Sequence, residues 1–534
     1  MYVGSLIFVG TSLNDEDMLN KCFCATCIGV EAVVVTVEVD LSVGIGIHLV
    51  GLPDSAVRES LLRVVTALTS YGFRIPGRKL VVNLAPADIR KEGSAYDLAI
   101  ALGLLAVSEQ VRLVDCEKFV IMGELALDGR IRPVNGVLPV ALKAREEGFA
   151  GCIFPAESAA EASEVEGLAV YGVSTLAETI EILTKREDCD HLRVRRESCH
   201  EEVAPACNDF RQVRGQHLAK RGLEIAAAGG HNLILVGSPG SGKSLMASCL
   251  PSILPPMTRD EAIETGKVYS VAGRGAQVRG LMRVRPFRSP HHSASLVSLI
   301  GGGPQAGPGE ISLAHNGVLY LDEMAQFSRG MLDALRQPLE DGKVTISRAR
   351  YKVVYPAHFM LVASMNPCPC GYYGDEAGHC TCSRGAIESY LSRISGPMMD
   401  RIDIQIWVRS LSAVELLGLS GTDGPGQAEE GSAAIAARVA RARAVQAARL
   451  AGEGIYTNAA MGTRLIERFC PLSDACRRTL EKILDRMGLS ARAYTRILKV
   501  ARTIADLAGE ADIQPTHLLE AAGFRFLDRR RLID

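Results

Sequence analysis

One eight-residue stretch constrains this chain most. Gly237-Ser238-Pro239-Gly240-Ser241-Gly242-Lys243-Ser244 matches G-x-x-x-x-G-K-[ST] without a gap. The apolar HNLILVG before it reads as a buried strand, and LMASCL after it opens a helix, which is the context a phosphate loop needs. Glycines let backbone N–H groups close on phosphate oxygens, and the helix N-terminus adds its dipole. Lys243 is then the residue that reaches the β- and γ-phosphates, with the Ser244 hydroxyl on Mg2+. A chance glycine-rich turn would lack the flanking strand and helix. ATP and Mg2+ are the implied ligands.

Such a loop calls for an apolar strand ending in acids further along. Val318-Leu319-Tyr320-Leu321-Asp322-Glu323 supplies it. Asp322 is the expected Mg2+ holder, partly through water, and Glu323 the group that polarises the attacking water. A third apolar strand, Phe359–Ser364, runs to Asn366, placed to orient that water. Taken alone, a strand ending in Asp-Glu is weak evidence; downstream of a phosphate loop it carries weight.

At about 150 residues per domain, the 534 residues predict three or four domains. Lys plus Arg number 59 and Asp plus Glu 61, a net charge of −2, which excludes a wholly basic nucleic-acid coat but not a local basic surface. The apolar fraction of 47% excludes bulk disorder. An odd count of 15 cysteines over a long chain points to a reducing cytosol rather than a disulfide scaffold. Met1–Leu13 lacks a basic lead-in, so no signal peptide is expected, and no apolar run of about 18 residues spans a bilayer. A cytoplasmic protein without a membrane partner is expected.

The periodicity predicts β-alternation over 31–52, a helix from Pro53-Asp54 to Leu68, a strand Lys79–Leu84, a helix Ala95–Val107, and continuing α/β alternation to about 184. Residues 186–209 read as a linker, 210–410 as a second α/β unit, 411–432 as a second linker, and 433–534 as all-helical.

Further motifs identify a family. Arg285–Ser295 (RPFRSPHHSAS), Pro308–Glu323, SMNPCPCG (364–371) and SGPMMDRID (395–403) resemble the ComM/YifB group of magnesium-chelatase-like AAA+ ATPases, nearly from residue 18 onward. The resemblance implies an α/β AAA+ core with an all-α lid, a homo-oligomeric ring (a hexamer), DNA as partner (branched or single-stranded), and branch migration driven by ATP hydrolysis. It makes Arg401 an arginine finger reaching the neighbouring subunit's nucleotide, Arg492 a lid arginine acting in cis, and Gln216 an adenine-side contact. The alternative is a chelatase-type remodelling subunit acting on a protein partner.

DNA contacts are expected on two basic stretches. Lys267–Gly309 holds six cations, among them Arg283 and Arg285, and no acid, and reads as an inserted loop or hairpin. Lys343–Lys352 alternates like a β-hairpin carrying Lys343, Arg348 and Arg350. In related ring helicases, hairpins before the third core strand line the pore, where cations track phosphates without reading sequence. Solvated charge is the plain alternative.

Cys368, Cys370, Cys380 and Cys382 form two Cys-x-Cys pairs, a candidate structural Zn2+ site with His379 as a substitute ligand, against free loop thiols. Residues 18–185 resemble the proteolytic domain of Lon, a ribosomal-S5-like fold, through Lys91–Ala95, Gly123–Arg130 and Pro133–Gly136. The aligned nucleophile position holds Ala95, with Ser94 one residue early. The base position holds Leu138, with Lys143 five residues on. No proteolysis is expected, and residues 1–17 read as an extension or tail.

Overall fold

The computed structural model describes residues 20–185, 188–195, 208–275, 280–347, 352–375, 380–410, 429–488 and 491–528. The chain divides into two compact units, residues 1–198 with 269–281, and residues 199–268 with 282–534.

The first unit is built on a seven-stranded mixed sheet. Edge to edge it runs Gly46–Val50, Lys79–Ala85, Glu31–Ser42, Asn20–Ile28, Phe119–Ile121, Gly151–Pro155 and Ala169–Val173. Alternation in Glu31–Ser42 buries Val35, Val37 and Val39 on one face, as a half-buried strand requires. The helix Asp97–Val107 is apolar all round, and ten of its eleven residues are buried. Asp54 caps the helix Ser55–Ser70 by accepting the Val57 N–H at 2.8 Å. The alternation expected over 31–52 is broken at 43–45. There the chain turns, and Gly46–Val50 pairs in parallel with Lys79–Ala85 instead of prolonging the previous strand.

The second unit centres on a five-stranded sheet in the order Phe287–Arg288, Val318–Leu321, Met360–Met365, Leu233–Gly237, Ile404–Val408, parallel at every pairing. Fully buried strands of this kind need helices on both faces. The helices from Ser432 onward share the sheet's hydrophobic core: Ile435, Val439, Ile497 and Ile504 pack in one cluster with Leu233, Leu235 and Val362. The C-terminal helices fall in the same compact unit as this sheet.

The acid-free stretch Lys267–Gly309 is not one inserted loop. It begins inside the helix Arg259–Val271, passes through 269–281 in the first unit, then supplies the core strand Phe287–Arg288 and the helix Leu296–Ile300. Among the described residues, no helix is long and apolar enough to cross a membrane.

Candidate functional site

The phosphate loop follows the central strand Leu233–Gly237 and ends at the helix Lys243–Cys249. Gly240 and Gly242 sit at φ +78° and +86°, a left-handed turn that side chains with a Cβ resist. Gly242 caps the helix, so its first N–H groups point into the loop.

Two neighbouring parallel strands bring the acids and the amide to the same edge. Tyr320 pairs with Val362 and Leu321 with Ala363, which sets Asp322 beside Ser364. Ser244 Oγ donates to Asp322 Oδ2 at 3.2 Å, and Tyr320 OH to Asp322 Oδ1 at 2.8 Å. Ser364 donates its hydroxyl to Asp322 and accepts the Glu323 N–H at 3.1 Å. Burial works against charge on Asp322, yet the hydroxyls of Ser364, Tyr320 and Ser244 outweigh it and hold the carboxyl below its ordinary range. Glu323 is exposed, with φ +52° turning its backbone out of the strand.

The Lys243 ammonium donates to the carbonyls of Gly237 and Ser238 at 2.8 Å each, and to Asn366 Oδ1 at 3.3 Å. Burial pushes its pKa below the usual lysine value, against the pull of Asp322 and Glu323. Ser241 Oγ, buried in the loop, has no hydrogen-bond partner among the described residues, an orphan of the kind a bound phosphate would satisfy. The residues present fit a nucleotide with Mg2+: Gly237, Ser238, Pro239, Gly240, Ser241, Gly242 and Lys243 around phosphate, Ser244 and Asp322 around the metal.

Other expected residues lie differently. Gln216 is buried at the head of the helix His217–Gly229, its Nε2 donating to the Arg409 carbonyl at 2.8 Å, beside the strand that pairs Val408 with Gly237. Arg401 is turned inward, its side chain 10% exposed, bonded to Glu340 and the Pro397 carbonyl. Arg492 is open, 67% exposed, and meets Asp400 at 3.1 Å, the residue before Arg401. The structure brings together Lys243, Ser244, Asp322, Glu323 and Asn366; Arg401 and Arg492 make their bonds elsewhere.

Among the DNA candidates, Arg285 is engaged within the fold. Its guanidinium is spent internally on Glu261 at 2.9 Å, the Pro255 carbonyl at 2.8 Å and the Asn316 carbonyl at 2.7 Å. It ties the helix Arg259–Val271 to the core strand. Arg283 is exposed. The expected hairpin exists, Lys343–Ser347 pairing with Lys352–Pro356, with Val344, Ile346, Val353 and Tyr355 buried and Lys343 and Lys352 outside. Arg348 and Arg350 lie outside the described residues.

The sulfurs of Cys368, Cys370, Cys380 and Cys382 lie within 4.8 Å of one another. His379 lies outside the described residues. In the first unit, Ser94 donates to Glu124, and Lys143 pairs with Glu146 at 3.0 Å.

Residues 209–416 match the family "Magnesium chelatase, subunit ChlI", 37–158 "Subunit ChlI of Mg-chelatase" and 429–525 "Magnesium chelatase, subunit ChlI C-terminal". Competence protein ComM of Haemophilus influenzae is 45% identical over 94% of this chain and 96% of its own length. The chain belongs to the ComM/YifB group of magnesium-chelatase-like AAA+ proteins. The group's YifB of Escherichia coli, an uncharacterized protein, is 42% identical over 94% of this chain and 96% of its own length. Beyond the ComM/YifB group the similarity is partial: Lon protease 2 of Bacillus subtilis is 23% identical over 27% of this chain and 26% of its own.

Sequence reasoning missed Ser364 and Tyr320, which brace the ComM/YifB chain's Asp322. The signal was their position, each two residues before a chosen one: Tyr320 before Asp322 and Ser364 before Asn366.

Proposed function

We propose that this chain is an ATP-hydrolysing, ring-forming DNA motor, a branch-migration helicase acting in recombination or natural transformation. The observation that carries the reading is the convergence of Lys243, Ser244, Asp322 and Asn366 in a chain 45% identical to a competence protein over 94% of its length. Lys243 exchanges the Gly237 and Ser238 carbonyls for phosphate oxygens. Mg2+ held at Ser244 and Asp322 would neutralise developing phosphate charge. Glu323, free of the strand, accepts a proton from the attacking water, and Asn366 orients that water. In a hexamer, Arg401 leaves Glu340 to reach the neighbouring subunit's nucleotide, while Arg492 acts in cis.

The stretch 343–352 lines the channel and offers Lys343, Arg348 and Arg350 to phosphates, with Arg283 as a further contact. The residues at the Lon dyad positions, Ala95 and Leu138, leave the first unit a non-proteolytic scaffold or DNA-side module.

A chelatase-type remodelling subunit is the second reading, favoured by the three ChlI family matches. ATP hydrolysis measured with forked DNA, and separately porphyrin metallation with chelatase partners, distinguishes them. Stimulation by DNA supports the motor; metallation without DNA stimulation supports the remodeller.

A further inference from the structure

The four-cysteine loop is tied to the phosphate loop at three points. Gly371, at φ +90°, lies so close to Pro239 that an added Cβ would stand 2.7 Å from its Cδ and 2.8 Å from its Cγ. Asp375 Oδ2 accepts the Ser238 hydroxyl at 2.8 Å and the Ser410 hydroxyl at 3.0 Å. Asn366, two residues before Cys368, holds Lys243. Pro367–Asp375 has no helix or strand and, of its cysteines, only Cys368 is buried, so apolar packing alone is a weak reason for this placement.

The sulfurs supply a reason. Cys368 and Cys380 stand 3.8 Å apart, Cys370 and Cys380 3.7 Å, and Cys368 and Cys370 3.3 Å. Disulfide sulfurs lie about 2.05 Å apart, so no pair is bonded. A tetrahedral ion with Zn–S of about 2.3 Å spaces its sulfurs about 3.8 Å apart. Four thiolates around one ion fit; a multi-iron cluster would hold them farther apart. The Tyr373 N–H donates to Cys368 Sγ at 3.3 Å, a bond that orients a ligating sulfur.

We propose that Cys368, Cys370, Cys380 and Cys382 bind one zinc ion that clamps this loop onto Ser238 and Pro239, so that losing the ion weakens nucleotide binding. Binding releases the thiol protons to solvent. The coupling rests on the phosphate-loop reading; the ion does not.

The test uses the full chain purified without chelators. Elemental analysis should give one zinc per chain, and a fluorescent ATP analogue gives the nucleotide affinity with Mg2+ in excess. The double variant Cys380→Ser, Cys382→Ser should lose the zinc and bind nucleotide about tenfold more weakly or worse. A zinc-selective chelator applied to the parent should do the same, and added zinc should restore binding; this arm decides if the variant does not fold. A parent without zinc, or with iron instead, overturns the site. Zinc lost with affinity unchanged overturns the clamp. A zinc-loaded parent that binds no nucleotide leaves the ion in place, overturns the clamp, and counts against the phosphate-loop reading itself.

Discussion

The Lys243 ammonium lies 3.3 Å from the Asn366 carboxamide oxygen, joining the phosphate loop to the end of the Met360–Met365 strand. The lysine is thus already aimed at the edge where the Asp322 carboxylate and Ser244 hydroxyl meet. Lys243→Ala should weaken nucleotide binding at least about tenfold, since a hydrogen bond to a charged group contributes about 1.5–3 kcal/mol. Equilibrium binding of a fluorescent ATP analogue checks this, and unchanged affinity would remove Lys243 from the site.

Glu323→Gln should separate binding from hydrolysis. Its N–H to Ser364 is backbone and survives the substitution, so Asp322 keeps its bracing. Turnover should fall about 10²–10⁴-fold, the usual worth of a positioned proton acceptor, with nucleotide affinity retained. Parental turnover would contradict the role given to Glu323.

How much of this was legible in the sequence depends on how local the signal was. The phosphate loop is contiguous, and the helix over 491–508 shows its period, so both were readable. The bracing of Asp322 was not, because it arises from the register that sets Leu321 beside Ala363. The internal partner of Arg285 was hidden for a related reason: Glu261 lies 24 residues upstream, outside the acid-free window. The strand Asn20–Ile28 was missed because Cys22 and Cys24 carry its buried face, where branched residues would have announced it.

Arg348→Ala with Arg350→Ala should lower DNA affinity and flatten its dependence on salt. Each duplex phosphate no longer neutralised reduces the log–log slope by about 0.9. Unrelated sequences should be affected alike, since backbone contacts carry no base code. Titrations at several salt concentrations check this; an unchanged slope would remove the hairpin from the DNA path.

Asp403 gives a prediction in pH. Burial opposes its charge, but the His231 hydrogen bond and the charges of Arg496 and Lys499 hold its pKa well below the carboxylate range. A depressed folded pKa contributes stability that is present above the unfolded value of about 3.9 and lost as pH falls through the folded one. Asp403→Asn should therefore cost about 3 kcal/mol or more near neutrality, by leaving Arg496 without its acid. Denaturant unfolding of parent and variant should show the gap narrowing below about pH 4; a gap independent of pH would contradict the ion-pair account.

The central claim is that this nucleotide site drives a DNA motor. Steady-state ATP hydrolysis by the full chain, with and without forked DNA, tests it most directly, with Glu323→Gln as the background. The account predicts hydrolysis that rises on adding forked DNA and disappears in the variant. Hydrolysis indifferent to DNA, or equal in the variant, would contradict it.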